Sequence, residues 1–246
     1  MTKSAFRKFK GFFAQTDLTQ GTIWKTLLRF CVPIFVSYLL QNFYSVADAA
    51  ICGYTLSASE VAGVNDTNSI AFIFLQFAFG CTAGMSVIIA NRIGRNDAEG
   101  ARQAFATQIV LSIIIAAAVS GLSLVCIKPL LALLGVTPSD NEVNNEVYKA
   151  AYTYIAIICG GMAGQFFYNA ICCVLRSVGD SFIPLVFLAI STVLNIGLDL
   201  LFILAFRWGV AGAALATVLS QLLSALGCII FTFARYKELR LRASDF

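Results

Sequence analysis

The chain has no histidine and few charged residues. Without histidine there is no imidazole base, and the commonest metal ligand is missing. Asp, Glu, Lys and Arg make up 12% of the 246 residues, against about 25% in a soluble domain. That is too little polar surface to wrap the apolar mass in water, because 59% of the residues are hydrophobic and the mean hydropathy is +0.83. The eight cysteines form no C-x-x-C pair and are scattered through apolar stretches. They read as small buried hydrophobes and not as a disulfide framework or a zinc site. No cleavable signal peptide is expected, since Met1–Gln20 is basic and polar and no short apolar core follows it.

Long runs without charge take the place of the missing polarity. They cover Phe30–Ala47, Thr67–Asn91, Gln103–Ile127, Ala150–Leu175 and Trp208–Ala234, and a sixth, Ser181–Phe206, is interrupted only by Asp199. A helix needs about 20 mostly apolar residues to cross a bilayer, and backbone groups in lipid must be satisfied within the segment. The chain therefore reads as an all-α polytopic membrane protein with six transmembrane helices, at about 26–52, 67–92, 102–127, 148–175, 182–206 and 209–235. Residues 1–25 precede the spans and 237–246 follow them. The alternation expected of an outer-membrane barrel is missing.

Basic residues set the direction. With the amino terminus inside, 14 Lys and Arg fall on the cytoplasmic side and 3 (Lys128, Lys149 and Arg207) outside, so both termini are expected in the cytoplasm. The net charge of +4 is thereby a topology signal, and nucleic acid is not an expected partner.

Two carboxylates lie within the spans, Asp48 in the first and Asp199 in the fifth. A carboxylate in hydrocarbon costs about 2.5–3.5 kcal/mol on insertion scales. Asp48 near its helix end could reach interfacial water; Asp199 is harder to dismiss. Helical spacing puts Gln41, Tyr44 and Asp48 on one stripe, and Asn195 and Asp199 on one face. Both spans run outward, and Thr217 lies early in the inward-running sixth. Asp48, Asn195, Asp199 and Thr217 can thus meet at one depth. Oxygen ligands suit a hard cation such as Na⁺, or a proton, and two carboxylates in one dry site repel when both are charged, which poises one to hold a proton. The bland reading is an interhelical hydrogen-bond cluster, worth about 1 kcal/mol per contact.

Softer signals surround these. Pro33 removes a backbone hydrogen bond and should bend the first span. Gly160-Gly161, Gly164 and the small-residue run from Gly209 read as helix-packing surfaces. Phe43, Tyr44, Phe166, Phe167 and Tyr168 could line a pocket for aromatic cations, although lipid or core contact accounts for most of 21 phenylalanines. Asn169 is a mid-span amide open to either a structural or a functional role.

Five segments, in order, resemble one family: Pro33-x7-Gln41-x6-Asp48-x4-Gly53, Asn91-Arg92-Ile93-Gly94-Arg95-Asn96-Asp97, Leu175-Arg176-Ser177-Val178-Gly179-Asp180, Leu194-Asn195-Ile196-Gly197-Leu198-Asp199, and Trp208-Gly209-Val210-Ala211-Gly212-Ala213-Ala214-Leu215-Ala216-Thr217. The chain resembles the amino-terminal half of a multidrug and toxic compound extrusion (MATE) transporter, of the bacterial DNA-damage-inducible or multidrug-export branch. The resemblance implies two six-helix lobes facing each other in a V and exchange of organic cations or drugs for H⁺ or Na⁺ across the bacterial inner membrane. It implies no enzymatic activity, and no cofactor beyond the coupling ion. It also implies a cation site at Asp48, Asn195, Asp199 and Thr217, a cavity wall at Gln41, Tyr44 and Asn169, and a bend of the first helix at Pro33. Six spans make one such lobe, with 237–246 starting the inter-lobe linker. The chain would then be a fragment of a longer transporter, or a half-size chain paired with a second lobe.

Other readings make distinct demands. A flippase for lipids or lipid-linked saccharides, of the same superfamily, would call for a basic central cavity. An intramembrane aspartyl protease would call for Tyr-Asp and Gly-x-Gly-Asp motifs, where this chain has Ala47-Asp48 and Leu198-Asp199. A non-transporting scaffold subunit would need neither carboxylate.

Overall fold

The computed structural model describes residues 22–236 and 241. The expected segment 1–25 and the linker 237–246 therefore lie largely outside the described residues. Within them the chain forms α1 (Ile23–Thr55), α2 (Ala58–Gly94), α3 (Ala98–Leu133), α4 (Glu142–Gly160), α5 (Met162–Ser177), α6 (Phe182–Asp199) and α7 (Gly209–Arg235). A π-helical stretch, Leu200–Ala205, continues α6. Five of these helices are long and apolar enough to cross a membrane alone, and α4 with α5 makes a sixth crossing that bends by 46°.

Capping explains several boundaries. α2 begins at Ala58, well before the 67 suggested by the uncharged run, because Ser57 and Glu60 form a reciprocal capping box. Its first turns carry Asn65, Asp66 and Asn68 and so extend the helix beyond its apolar part. At α3 the Asp97 carboxylate accepts from the Gly100 N–H and pairs with Arg92 at 2.9 Å. Those two contacts, the Gly100 bond first, hold Asp97 below the usual carboxylate range.

The fourth span departs from the expected single helix. It breaks at Gly161, where a Cβ would stand 2.3 Å from the Val218 side chain; at Gly164 it would stand 2.8 Å from Leu222. Glycine at these positions lets α5 close onto α7, so the packing role expected of both holds. On α7, Ala213, Ala214 and Ala216 are fully buried. The core lies among α2, α3, α4, α5 and α7 around Leu131, Ile155, Cys159, Phe166 and Ala213. In contrast, α1 packs along α6 and touches α2 and α7 only lightly. Its outer face (Phe35, Leu39, Phe43, Val46) is exposed and apolar, as contact with lipid requires.

Candidate functional site: a carboxylate pair beside a polar cavity

The loose seating of α1 opens a cavity of about 380 Å³ between it and α2, α4, α5 and α7. The stripe Gln41, Tyr44 and Asp48 forms the α1 wall, and Thr217 faces it from α7. Asn195 and Asp199 do not line the cavity. They lie behind Thr217 on α6, both fully buried.

Thr217 joins the two sides. Its Oγ1 accepts from the Tyr44 hydroxyl at 3.3 Å and from the Asn195 amide at 3.5 Å. Those bonds use both lone pairs of the hydroxyl and leave its proton free to donate. The carboxyl groups of Asp48 and Asp199 are neighbours within hydrogen-bonding reach of each other. Both Asp199 oxygens, Oδ1 of Asp48 and Oδ1 of Asn195 are buried with no donor. An ionised carboxylate only accepts, so the two acids cannot satisfy each other while both are charged. A proton on one, or a cation between them, supplies what is missing. The four residues grouped by helical spacing are thus brought together, in two layers: Asp48 and Thr217 on the wet side, Asn195 and Asp199 on the dry side.

The π-helical stretch begins at the residue after Asp199, with Phe206 N–H bonding the Leu201 carbonyl five residues back. Such turns are frequent at functional sites, and this one follows directly on the buried acid.

One expectation needs correction. Asn169 is half-buried and outside the cavity lining. One helical turn earlier, Gln165 takes that place, because the break at Gly161 starts α5 at the level of the cavity and leaves Asn169 a turn beyond it. The aromatic group divides as lipid or core contact predicts for most of it: Phe43 is exposed, Phe166 is in the core, and Tyr44 faces the cavity. Sequence reasoning passed over Asn65, Asn68, Gln165, Gln221 and Tyr154, which add most of the remaining polar lining. Their signal was available as uncharged amides and a phenol in or beside apolar runs. No Lys or Arg lines this cavity among the described residues.

Pro33 is buried within a continuous α1. Its ring nitrogen offers no hydrogen to the preceding turn, and the Ser37 hydroxyl donates to its carbonyl at 2.8 Å.

A family model described as MatE matches residues 33–201, a stretch that contains Pro33, Asp48, Asn195 and Asp199. The chain belongs to the MatE family. A probable multidrug resistance protein of Bacillus subtilis, YpnP, is 33% identical over 211 residues, which are 83% of this chain and 44% of that protein. The probable multidrug resistance protein NorM of Thermotoga maritima is 26% identical over 95% of this chain and 49% of its own length. Among solved structures, a crystal structure of MATE in the straight conformation superposes with a TM-score of 0.83 at 27% identity, over 94% of this chain and 50% of that one. The chain spans about half the length of the curated relatives it matches, and it corresponds to the amino-terminal half of a MATE transporter.

Proposed function

We propose that the chain is the amino-terminal lobe of a cation-coupled multidrug antiporter of the bacterial inner membrane, with both termini cytoplasmic, that exports organic cations in exchange for H⁺ or Na⁺. The observation that carries this reading is the contact between Asp48 and Asp199, two acids whose buried oxygens lack donors. One coupling ion, carrying a single positive charge, neutralises one of the two acids. When it leaves, the negative charge it uncovers sits at the edge of a cavity lined by amides and two phenols, where an organic cation is attracted. Competition for one charge is the simplest way to make the two cargoes alternate. The chain has a movable part to match: α1 carries Asp48, is held mainly along α6, and is weakened at Pro33. The acidic, Lys- and Arg-free cavity disfavours a flippase for phosphate-bearing lipids.

The test uses the complete two-lobed transporter in proteoliposomes under an imposed pH or Na⁺ gradient. Asp48→Asn and Asp199→Asn should each abolish gradient-driven efflux of a cationic dye while the protein remains in the membrane. The double variant should be little worse than either single one, as for residues acting as a unit. Near-normal efflux from Asp199→Asn would overturn the reading and leave a scaffold role in front.

A further inference from the structure

In the half of the membrane away from the chain's termini, basic residues are scarce: Lys128, Lys149 and Arg207 are the three there. Two of them meet. Lys128 on α3 and Lys149 on α4 line one pocket of about 330 Å³ with Tyr148, Tyr152 and Thr153. None of these residues lines the cavity at Asp48. The two helices are consecutive and pack side by side, so they run in opposite directions. Lys128 lies five residues before the end of α3, and Lys149 seven after the start of α4. At 1.5 Å per residue both stand about 7–10 Å inside the helix ends, at one depth.

The pocket is a set of donors that lacks an acceptor. Among the described residues neither lysine makes an ion pair, and the two phenols and the Thr153 hydroxyl make no hydrogen bond. An ammonium group only donates, and each hydroxyl can donate. Glu146, one turn before Lys149, is exposed and does not pair with it. Lysines that only snorkel, and tyrosines that only mark the interface, have no reason to converge. Here they share one pocket, with the Tyr148 and Tyr152 rings 6.1 Å apart. Five donors around one space fit the oxygens of a phosphate.

The surroundings choose among phosphates. One turn deeper than Lys128 on α3, Val125 is 79% exposed and Leu124 is exposed as well. A free anion would use the lysines alone, whereas a lipid would use the lysines and this apolar flank. We propose that the pocket binds an anionic phospholipid of that leaflet, its phosphate held by Lys128 and Lys149 and one acyl chain lying along Leu124 and Val125. Basic pockets between transmembrane helices take such headgroups. A zwitterionic headgroup fits worse, because its ammonium would stand beside two others.

The experiment compares the complete transporter with Lys128→Gln, Lys149→Gln, the double glutamine variant, and a double arginine variant (Lys128→Arg with Lys149→Arg). Each is purified in neutral detergent and mixed with equal amounts of phosphatidylglycerol and chain-matched phosphatidylcholine, and retained lipids are counted by native mass spectrometry. The wild type should retain one phosphatidylglycerol more than the double glutamine variant. Each single glutamine should weaken that binding about fivefold, the strength of one Lys near an anionic leaflet, and the arginine pair should keep it. Added phosphatidylglycerol should raise the melting temperature of the wild type and not of the double glutamine variant. Equal retention of phosphatidylglycerol by these two proteins, or equal retention of both lipids by the wild type, would overturn the site. Loss of binding in the arginine pair would do the same, since both charges remain. Displacement of the lipid by millimolar inorganic phosphate would overturn it too, and would assign the pocket to a free anion.

Discussion

At the scale of single residues, Thr217 does more for the site than its modest polarity suggests. It is the shared acceptor through which a cavity-facing phenol on α1 and a fully buried amide on α6 are tied to α7. A Thr217→Val replacement keeps the shape and removes the acceptor of both bonds at once, so the Asn195 amide loses the partner it has in the core. Leaving a buried donor unsatisfied costs about 1–3 kcal/mol. The variant should melt earlier in detergent than the parent, and Thr217→Ser should recover most of the loss. A Val variant as stable as the parent would show that the Tyr44 and Asn195 bonds to Thr217 contribute nothing net. The same residue marks what could be read in advance. Asn195 and Asp199, four apart in an apolar run, had to share a helix face, and Thr217 falls at their depth once the spans are counted. That Asp48 and Thr217 face a cavity while the α6 pair lies behind it could not be read, because layering depends on how far apart the helices pack.

At the scale of elements, the break between α4 and α5 and the π-helical stretch after Asp199 are the features that shape the site. Neither is written in a local pattern. The uncharged run Ala150–Leu175 is compatible with one straight span, and Gly160-Gly161 permits a bend without demanding one. The bend is set by the approach of α5 to α7, where Gly161 leaves no room for a side chain beside Val218. A Gly161→Ala substitution should therefore push α5 and α7 apart or force Val218 to move. Overpacking of this kind costs about 1–3 kcal/mol. Thermal unfolding of the variant reads the loss, and Val218→Ala in the same chain should relieve it; a neutral Gly161→Ala would show that the contact is slack. By contrast, the spans themselves were legible, because an uncharged stretch of sufficient length has one stable form in lipid. The early start of α2 was legible in principle too, since Ser57 and Glu60 spell a capping box. Counting from charge to charge misses it, and with it Asn65.

At the scale of the whole molecule, the arrangement has a packed body and a lightly attached rim. α2, α3, α4, α5 and α7 share the core, α6 is fastened to α7, and α1 lies across one side of the cavity. Alternating access in such transporters is largely rigid-body motion of one bundle against another around a fixed site. These residues supply one bundle, and the relatives they match are about twice as long. All four residues of the proposed ion site nevertheless lie within this one bundle, so ion binding and transport should separate. Residues 1–246 alone, reconstituted in liposomes, should insert, since the apolar spans need no partner to enter a bilayer. They should retain a titratable carboxylate pair, visible as proton uptake that disappears in Asp48→Asn with Asp199→Asn. A cationic dye should bind weakly at most, because one lobe provides one side of a two-lobed cleft. Under an imposed pH or Na⁺ gradient the dye should not move across the membrane, as there is no second bundle to rock against. Robust gradient-driven transport by the monomeric chain would overturn the single-lobe reading. Transport that appears only once two copies are cross-linked would show instead that a second copy of this chain serves as the other lobe.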